Sequence, residues 1–330
     1  MMQTISLFEG RSTHIPTNTV GAGLDSVDLF AGFGGNAEGA KNCGLNVVFA
    51  ANHDPMVVDV HTANHPETIH ACQDLQQMDW ALVPDHHVLL ASPCCQGFTN
   101  ARGREGDRKA HYHRSRSTAF APLSCAEYHS SEIVYLECVP ELLDWTLFPQ
   151  WVDMWEALGY SVATFLLDAA DFGVPQHRER VYIICTRSKN PIELTFAKQD
   201  HVGFIDIYEE DSAAWSPINK PGRSKKTLRR IENGRARFGD FFLAPYYSSG
   251  SGLTGRDINR PLGTVTCKDR WSIINGDQMR MVSVPEYRRA MGFPADMILP
   301  SKKADAVHGL GNATCPKVVT EVLTAVLKAA

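Results

Sequence analysis

The 330-residue sequence contains no apolar run near the roughly 20 residues that a membrane span requires. Met1 to Gly10 also lacks the basic stretch and apolar core of a secretory leader, so a cytoplasmic protein with no membrane attachment is expected. A paired-cysteine framework is missing as well. Nine cysteines at irregular spacing, with no C-x-x-C, fit neither a disulfide scaffold nor a zinc site, so no metal is expected and a reducing compartment explains the thiols. Most of them read as small buried hydrophobes. An excess of positive charge is absent too: a net charge of -5 excludes a uniformly basic nucleic-acid binder and leaves the argument to local clusters. One comprises Arg102, Arg104, Arg108, Lys109, Arg114 and Arg116; the other Lys220, Arg223, Lys225, Lys226, Arg229, Arg230, Arg235 and Arg237. Taken alone, each reads first as a solvated loop. There is no internal repeat.

What is present is a chain with 44% hydrophobic and 21% charged residues, long enough for one large core and a smaller second domain. Residues 1–24 are polar, without sustained periodicity, and read as an extension outside the core. From Ser26, short apolar runs alternate with helical patterns: Val27 to Phe30, Val47 to Ala51, Val88 to Ala91, Ile133 to Leu136, Ser161 to Leu167 and Val181 to Cys185. That alternation predicts an α/β fold, a Rossmann-like, mostly parallel sheet with helices on both faces, over residues 25–187. After Arg187 the chain turns to proline, glycine, basic residues and short strand-like pieces, predicting a small second domain over 188–275. Helical patterns at Val284 to Met291 and Pro316 to Ala329 would return residues 276–330 to the first domain.

The first apolar run leads into Ala31-Gly32-Phe33-Gly34-Gly35 and then a helical segment, the strand, glycine turn and helix order that lets backbone approach a nucleotide closely. The spacing is not the dinucleotide G-x-G-x-x-G and no Walker lysine follows, which disfavours NAD and ATP. A glycine turn with no ligand fits the same residues. The second run ends in Asn52-His53-Asp54, where a polar side chain can bond ribose hydroxyls. Asp74 falls where a third strand should end; it can accept from an adenine amino group or simply cap a helix.

The sharpest motif follows the fourth run: Ser92-Pro93-Cys94-Cys95-Gln96-Gly97-Phe98-Thr99 places a thiol at the carboxyl edge of the sheet, where ligands bind in such folds. The next run ends in Glu137-Cys138-Val139-Pro140, and Gln176-His177-Arg178-Glu179-Arg180 precedes another. Thiol, carboxylate and guanidinium can thus converge on one crevice.

In these residues the sequence resembles the DNA cytosine-5 methyltransferase family, whose ordered motifs run from Asp28 to about Val319. Asp28 to Gly35 is similar to its cofactor motif, with Phe30, Gly32, Gly34 and Gly35 at the turn. Pro93 to Thr99 is similar to its Pro-Cys-Gln nucleophile loop, Glu137 to Val139 to its Glu-Asn-Val motif, and Gln176 to Arg180 to its Gln-x-Arg-x-Arg motif. Arg260 to Thr264, Arg280 to Pro294 and Gly311-Asn312-Ala313 resemble its later elements. The resemblance implies S-adenosylmethionine as cofactor, held by the turn with Asn52, His53, Asp74, Pro93 and Asn312. It also implies double-stranded DNA as substrate, a monomer, and a possible cognate restriction endonuclease.

The chemistry agrees, because carbon 5 of cytosine is a poor nucleophile until something adds to carbon 6. A cysteine thiolate can do so. A protonated Glu137 can donate to N3 as the thiolate attacks. The family pattern implies that Arg180 meets the base O2 and that Arg178 buttresses the loop, and chemistry on a duplex implies a flipped base. Three departures stand out. Cys94 occupies the place of the usual proline before the nucleophile, so two thiols compete, with Cys95 favoured because the downstream register fits it. Cys138 replaces the usual asparagine, and Asn52 or Ala51 stands where a ribose-binding glutamate is common. These leave open an altered donor or transferred group and a catalytically silent DNA-binding module, beside an RNA substrate on the same scaffold. Thr99 to Ser117 resembles the mobile catalytic loop, with Gln96, Arg102 and Arg104 toward DNA. Lys225, Lys226, Arg229 and Arg230 would serve the target-recognition domain.

Overall fold

A computed structural model describes residues 20–98, 115–246 and 255–330; Arg102 and Arg104 lie outside them. Seven strands form the main sheet: β1 (Asp25–Leu29), β2 (Asn46–Asn52), β3 (Ile69–Cys72), β4 (Val88–Ala91), β5 (Ile133–Cys138), β6 (Ser161–Asp168) and β7 (Glu179–Thr186). Their order is β3-β2-β1-β4-β5-β7-β6, parallel from β3 to β5, with β7 antiparallel to both its neighbours. The expected mostly parallel sheet is therefore present. Its central strands β4 and β5 are buried at every residue because both faces are covered.

Alternation along β4 divides the interior. Leu89 and Ala91 face a cluster with Val27, Leu29, Trp151 and Trp155, while Val88 and Leu90 face another with Val318, Val322 and Leu323. On that second face the helix Gly35–Asn42 meets the helix Pro316–Ala329. The approach depends on small residues: a Cβ added at Gly39 would stand 2.4 Å from Val319 Cβ.

A second, antiparallel sheet has the order β10-β9-β11-β12-β8, from β8 (Ser216–Pro217), β9 (Phe241–Pro245), β10 (Arg256–Asp257), β11 (Trp271–Asn275) and β12 (Gln278–Met281). Leu243, Trp271 and Ile273 join the same core as Val88 and Leu90, so the two sheets share a packed boundary. The helix Lys225–Phe238, capped by Ser224 Oγ accepting from Thr227 N, covers this sheet through Ile231 against Phe242. That helix, within a stretch read as short strand-like pieces, was not expected. The reversal of strand order between β1 and β4 opens a crevice at their carboxyl ends, the position where open α/β sheets bind ligands.

Candidate active site

β1 ends in a sharp turn. Phe30 adopts φ 60° and Gly32 φ 55°, and the strain at Phe30 is held by Ala31 N donating to Ala51 O at 3.1 Å and Ser92 N to Leu29 O at 3.2 Å. These bonds bring the ends of β1, β2 and β4 together. Around them lies a cavity of about 190 Å³. Phe30, Gly32, Asn52, His53 and Asn312 line one part, and Pro93, Cys94, Cys95, Gln96, Glu137, Arg178 and Arg180 the other.

Three expected cofactor residues are not among the lining. At Gly34, with φ 89°, a Cβ would stand 2.5 Å from His65 Nε2, and at Gly35 one would stand 2.3 Å from Thr314 O, so both glycines permit close packing behind the turn. The exposed Asp74 carboxylate accepts from Gln76 N at 3.1 Å, capping a short 3-10 turn, which is the plainer of its two readings. Asn52 also has a local duty, its Oδ1 accepting from Asp54 N at 3.0 Å while the residue lines the cavity. Sequence reasoning did not single out Phe33, Asp54, Val57, Ser92, His308 and Gly309 as lining residues. Phe33, Asp54 and Ser92 sit inside the motifs without a role assigned to them, and the others had no signal beyond lying near motif residues.

Cys95 opens a 3-10 turn, Cys95–Gly97, separated from the end of β4 by Ser92, Pro93 and Cys94. The turn is clamped from the far side of the undescribed segment. Ser115 Oγ donates to Cys94 O at 3.1 Å and accepts from Gly97 N at 2.8 Å, while Thr118 Oγ1 accepts from Cys94 N at 3.1 Å. Burial pushes the Cys95 thiol up to about 11, and the nearby Arg180 guanidinium opposes the shift. Glu137, at the end of β5, has its carboxyl raised by burial despite the opposing charges of Arg180 and Arg178. Arg180 Nε stands 3.1 Å from Glu137 Oε1 in an ion pair that lacks hydrogen-bond alignment, so this buried oxygen retains capacity for a ligand.

Arg178 does something different. Only 3% exposed, it donates from Nη1 to Val265 O at 3.1 Å and from Nη2 to Gly311 O and Ala313 O at 3.1 and 2.8 Å. Gln176 works beside it, donating to Ala290 O at 3.0 Å and accepting from Val265 N at 2.7 Å. Thr264 Oγ1 donates to His177 O at 2.9 Å. Widely separated motifs are thus tied into one wall, with Asn312 Oδ1 accepting from Cys267 Sγ at 2.9 Å on its rim. Cys138 is buried beside the site and does not line it; burial raises its thiol well above the ordinary range.

Of the expected DNA-facing residues, Lys225, Lys226 and Arg229 are exposed on the helix Lys225–Phe238. Arg230 is turned inward, 8% exposed, with its guanidinium 4.6 Å from the Tyr246 ring centre.

A glycine turn leading to a thiol, a buried carboxyl and a guanidinium at the switch point of such a sheet defines a group-transfer enzyme that joins a nucleotide-like cofactor to a polar substrate. The chain matches the C-5 cytosine-specific DNA methylases over residues 24–328 and belongs to that family, whose enzymes depend on S-adenosylmethionine. Type II methyltransferase M.BsuFI of Bacillus subtilis is 28% identical over 327 residues, covering 97% of this chain and 76% of that one. M.HhaI of Haemophilus parahaemolyticus is 26% identical over 316 residues, covering 90% and 92%. The solved structure of a Spodoptera frugiperda DNMT2 variant shares the fold, with a TM-score of 0.66 at 18% identity over 92% of this chain and 99% of that one.

Proposed function

We propose that the protein methylates carbon 5 of a flipped cytosine in double-stranded DNA through a covalent adduct between Cys95 and carbon 6. The observation that carries this reading is the meeting of Cys95, Glu137 and Arg180 in the same cavity as the glycine turn. Cys95 adds to carbon 6, Glu137 keeps a proton at N3 so that electrons can move into the ring, and Arg180 holds Glu137 while facing the base. Cys95 leaves when carbon 5 gives up its proton. Arg178 keeps the wall in place.

S-adenosylmethionine fits the other end of the cavity. Gly32 adds no side chain there, and Asn52, His53 and Asn312 offer polar groups to ribose and base. When bound, it supplies an electrophilic methyl group. Cys94, the competing thiol, keeps its backbone amide on Thr118, which suits a residue that shapes the turn.

Recognition falls to the antiparallel sheet and the exposed basic residues of the helix Lys225–Phe238, with residues 25–187 and 276–330 forming the catalytic part. Among the described residues no helix is long and apolar enough to cross a membrane, which supports a cytoplasmic enzyme. The relatives' designation as Type II methyltransferases supports a restriction-modification role with a cognate endonuclease, and the proposed enzyme acts as a monomer. Labelled S-adenosylmethionine offered with duplex DNA or with transfer RNA tests the substrate. Incorporation into 5-methylcytosine of DNA is expected; label on RNA alone would move the activity to RNA, and another modified nucleoside by mass spectrometry would replace the methyl group.

A further inference from the structure

Ser92 follows β4 directly, in the crevice between the glycine turn and the nucleophile turn, and lines the cavity. Behind it lies a polar line that the reaction does not require. Asn36 Nδ2 donates to Ser92 Oγ at 3.0 Å and to Asp28 Oδ1 at 3.0 Å, with Asn36 2% and Asp28 0% exposed. An amide nitrogen has two hydrogens, and both are spent here. Ser92 Oγ therefore acts as an acceptor toward Asn36, and its own hydrogen has no acceptor among the described residues. Asp28 Oδ2 and Asn36 Oδ1 are buried without a partner. Such a network is costly in a core unless it does something that apolar packing could not.

The groups around Ser92 narrow what its hydrogen can meet. Of the two guanidiniums lining the cavity, Arg178 is engaged by three backbone carbonyls, and Arg180 is ion-paired with Glu137 at the base end. Cys95 and Glu137 mark the end where the methyl group must arrive, and Asn52 and His53 mark the end suited to ribose. The crevice at Ser92 is left for the amino-acid arm of the cofactor, whose carboxylate is an acceptor without hydrogens.

We propose that Ser92 is a cofactor-recognition residue whose hydroxyl donates to the carboxylate of the methionine arm of S-adenosylmethionine, with Asn36 and Asp28 as positioning residues that aim it. The assignment rests on S-adenosylmethionine being the cofactor. A neutral hydroxyl on a carboxylate gives a charge-assisted bond that loses its partner when the carboxylate is removed.

Titration calorimetry of the full chain with S-adenosylhomocysteine and with its decarboxylated counterpart tests this. Ser92→Ala is expected to weaken S-adenosylhomocysteine about tenfold and to leave the decarboxylated compound within about twofold of its wild-type affinity. Ser92→Thr, which keeps the hydroxyl, should retain the preference, and Asn36→Leu should lose part of it. Equal weakening of both compounds by Ser92→Ala, or weakening of neither, overturns the assignment. If the wild-type chain binds neither, the cofactor reading itself fails.

Discussion

Glu137 and Cys95 respond to the same burial with opposite consequences for the reaction. Burial raises the Glu137 carboxyl, which favours the protonated form that the proposed mechanism places at N3, and raises the Cys95 thiol to about 11, which disfavours the thiolate. Under the proposed mechanism the competent form pairs a protonated Glu137 with a Cys95 thiolate. As pH rises below the Glu137 pKa, the thiolate grows about tenfold per unit while Glu137 stays protonated; above it, loss of the Glu137 proton cancels further thiolate gain. The wild-type kcat/KM should therefore climb with pH and level once Glu137, its carboxyl raised by burial, begins to lose its proton. Glu137→Gln should be slower by about 10²- to 10⁴-fold, its kcat/KM still climbing where the wild type has levelled. A levelling at the wild-type pH in that variant would remove Glu137 from the role.

Asp28 permits a stability test at the same scale. Burial raises its carboxyl to about 7, so the folded state holds the proton more tightly than the unfolded chain does. Its contribution is complete below the ordinary carboxyl range and is lost as pH rises through about 7. Denaturant titrations at pH 4.5 and 8 should show wild type losing stability relative to Asp28→Asn, by an amount on the order of 3 kcal/mol. Equal pH dependence in the two proteins would contradict the assignment. The meeting of Cys95, Glu137 and Arg180 in one cavity was legible in the sequence because each lies at or just beyond the end of an apolar run. The Asp28, Asn36 and Ser92 line was not, because only the packed structure shows that these polar groups face one another.

At the scale of elements, the strands were readable because strands covered on both faces must be nearly continuously apolar, as Val88–Ala91 and Ile133–Cys138 are. The helix Lys225–Phe238 was hidden by its exposed basic residues, which leave little of its face to the core beyond Leu228 and Ile231. The helix Lys303–Asn312 was obscured by Gly309 and Gly311, both needed for close approach: a Cβ at Gly309 would fall 1.9 Å from Phe33 Cζ. The pairing of Gly35–Asn42 with Pro316–Ala329 makes a direct test. Gly39→Ala should destabilise by about 1–3 kcal/mol through overpacking, measured by denaturant unfolding. Val319→Ala in the same chain should recover part of the loss, and purely additive destabilisation would show that the two residues do not oppose each other.

For the molecule as a whole, the net charge of -5 conceals a sorted surface. Lys225, Lys226 and Arg229 are exposed together, whereas Arg230 packs on Tyr246 and Arg235 pairs with Asp240 and Asp277 at 3.2 and 2.9 Å. Sequence alone set Arg230 beside Lys225, Lys226 and Arg229 as a DNA contact; burial separates it from them, and pairing occupies Arg235. Replacing the exposed three by alanine should weaken binding to all duplexes and reduce the slope of log affinity against log salt by roughly 2 to 3. Arg230→Ala should change stability more than that slope. An unchanged slope in the triple variant would move the DNA surface elsewhere.

The most direct test of the covalent account is a duplex carrying 5-fluorocytosine, incubated with S-adenosylmethionine and resolved under denaturing conditions. Fluorine at carbon 5 cannot leave as a proton, so the adduct should persist with the wild-type chain and with Cys94→Ala, and vanish with Cys95→Ala. An adduct that survives Cys95→Ala and disappears in Cys94→Ala would place the nucleophile on the other thiol. No adduct with the wild-type chain would contradict the covalent mechanism.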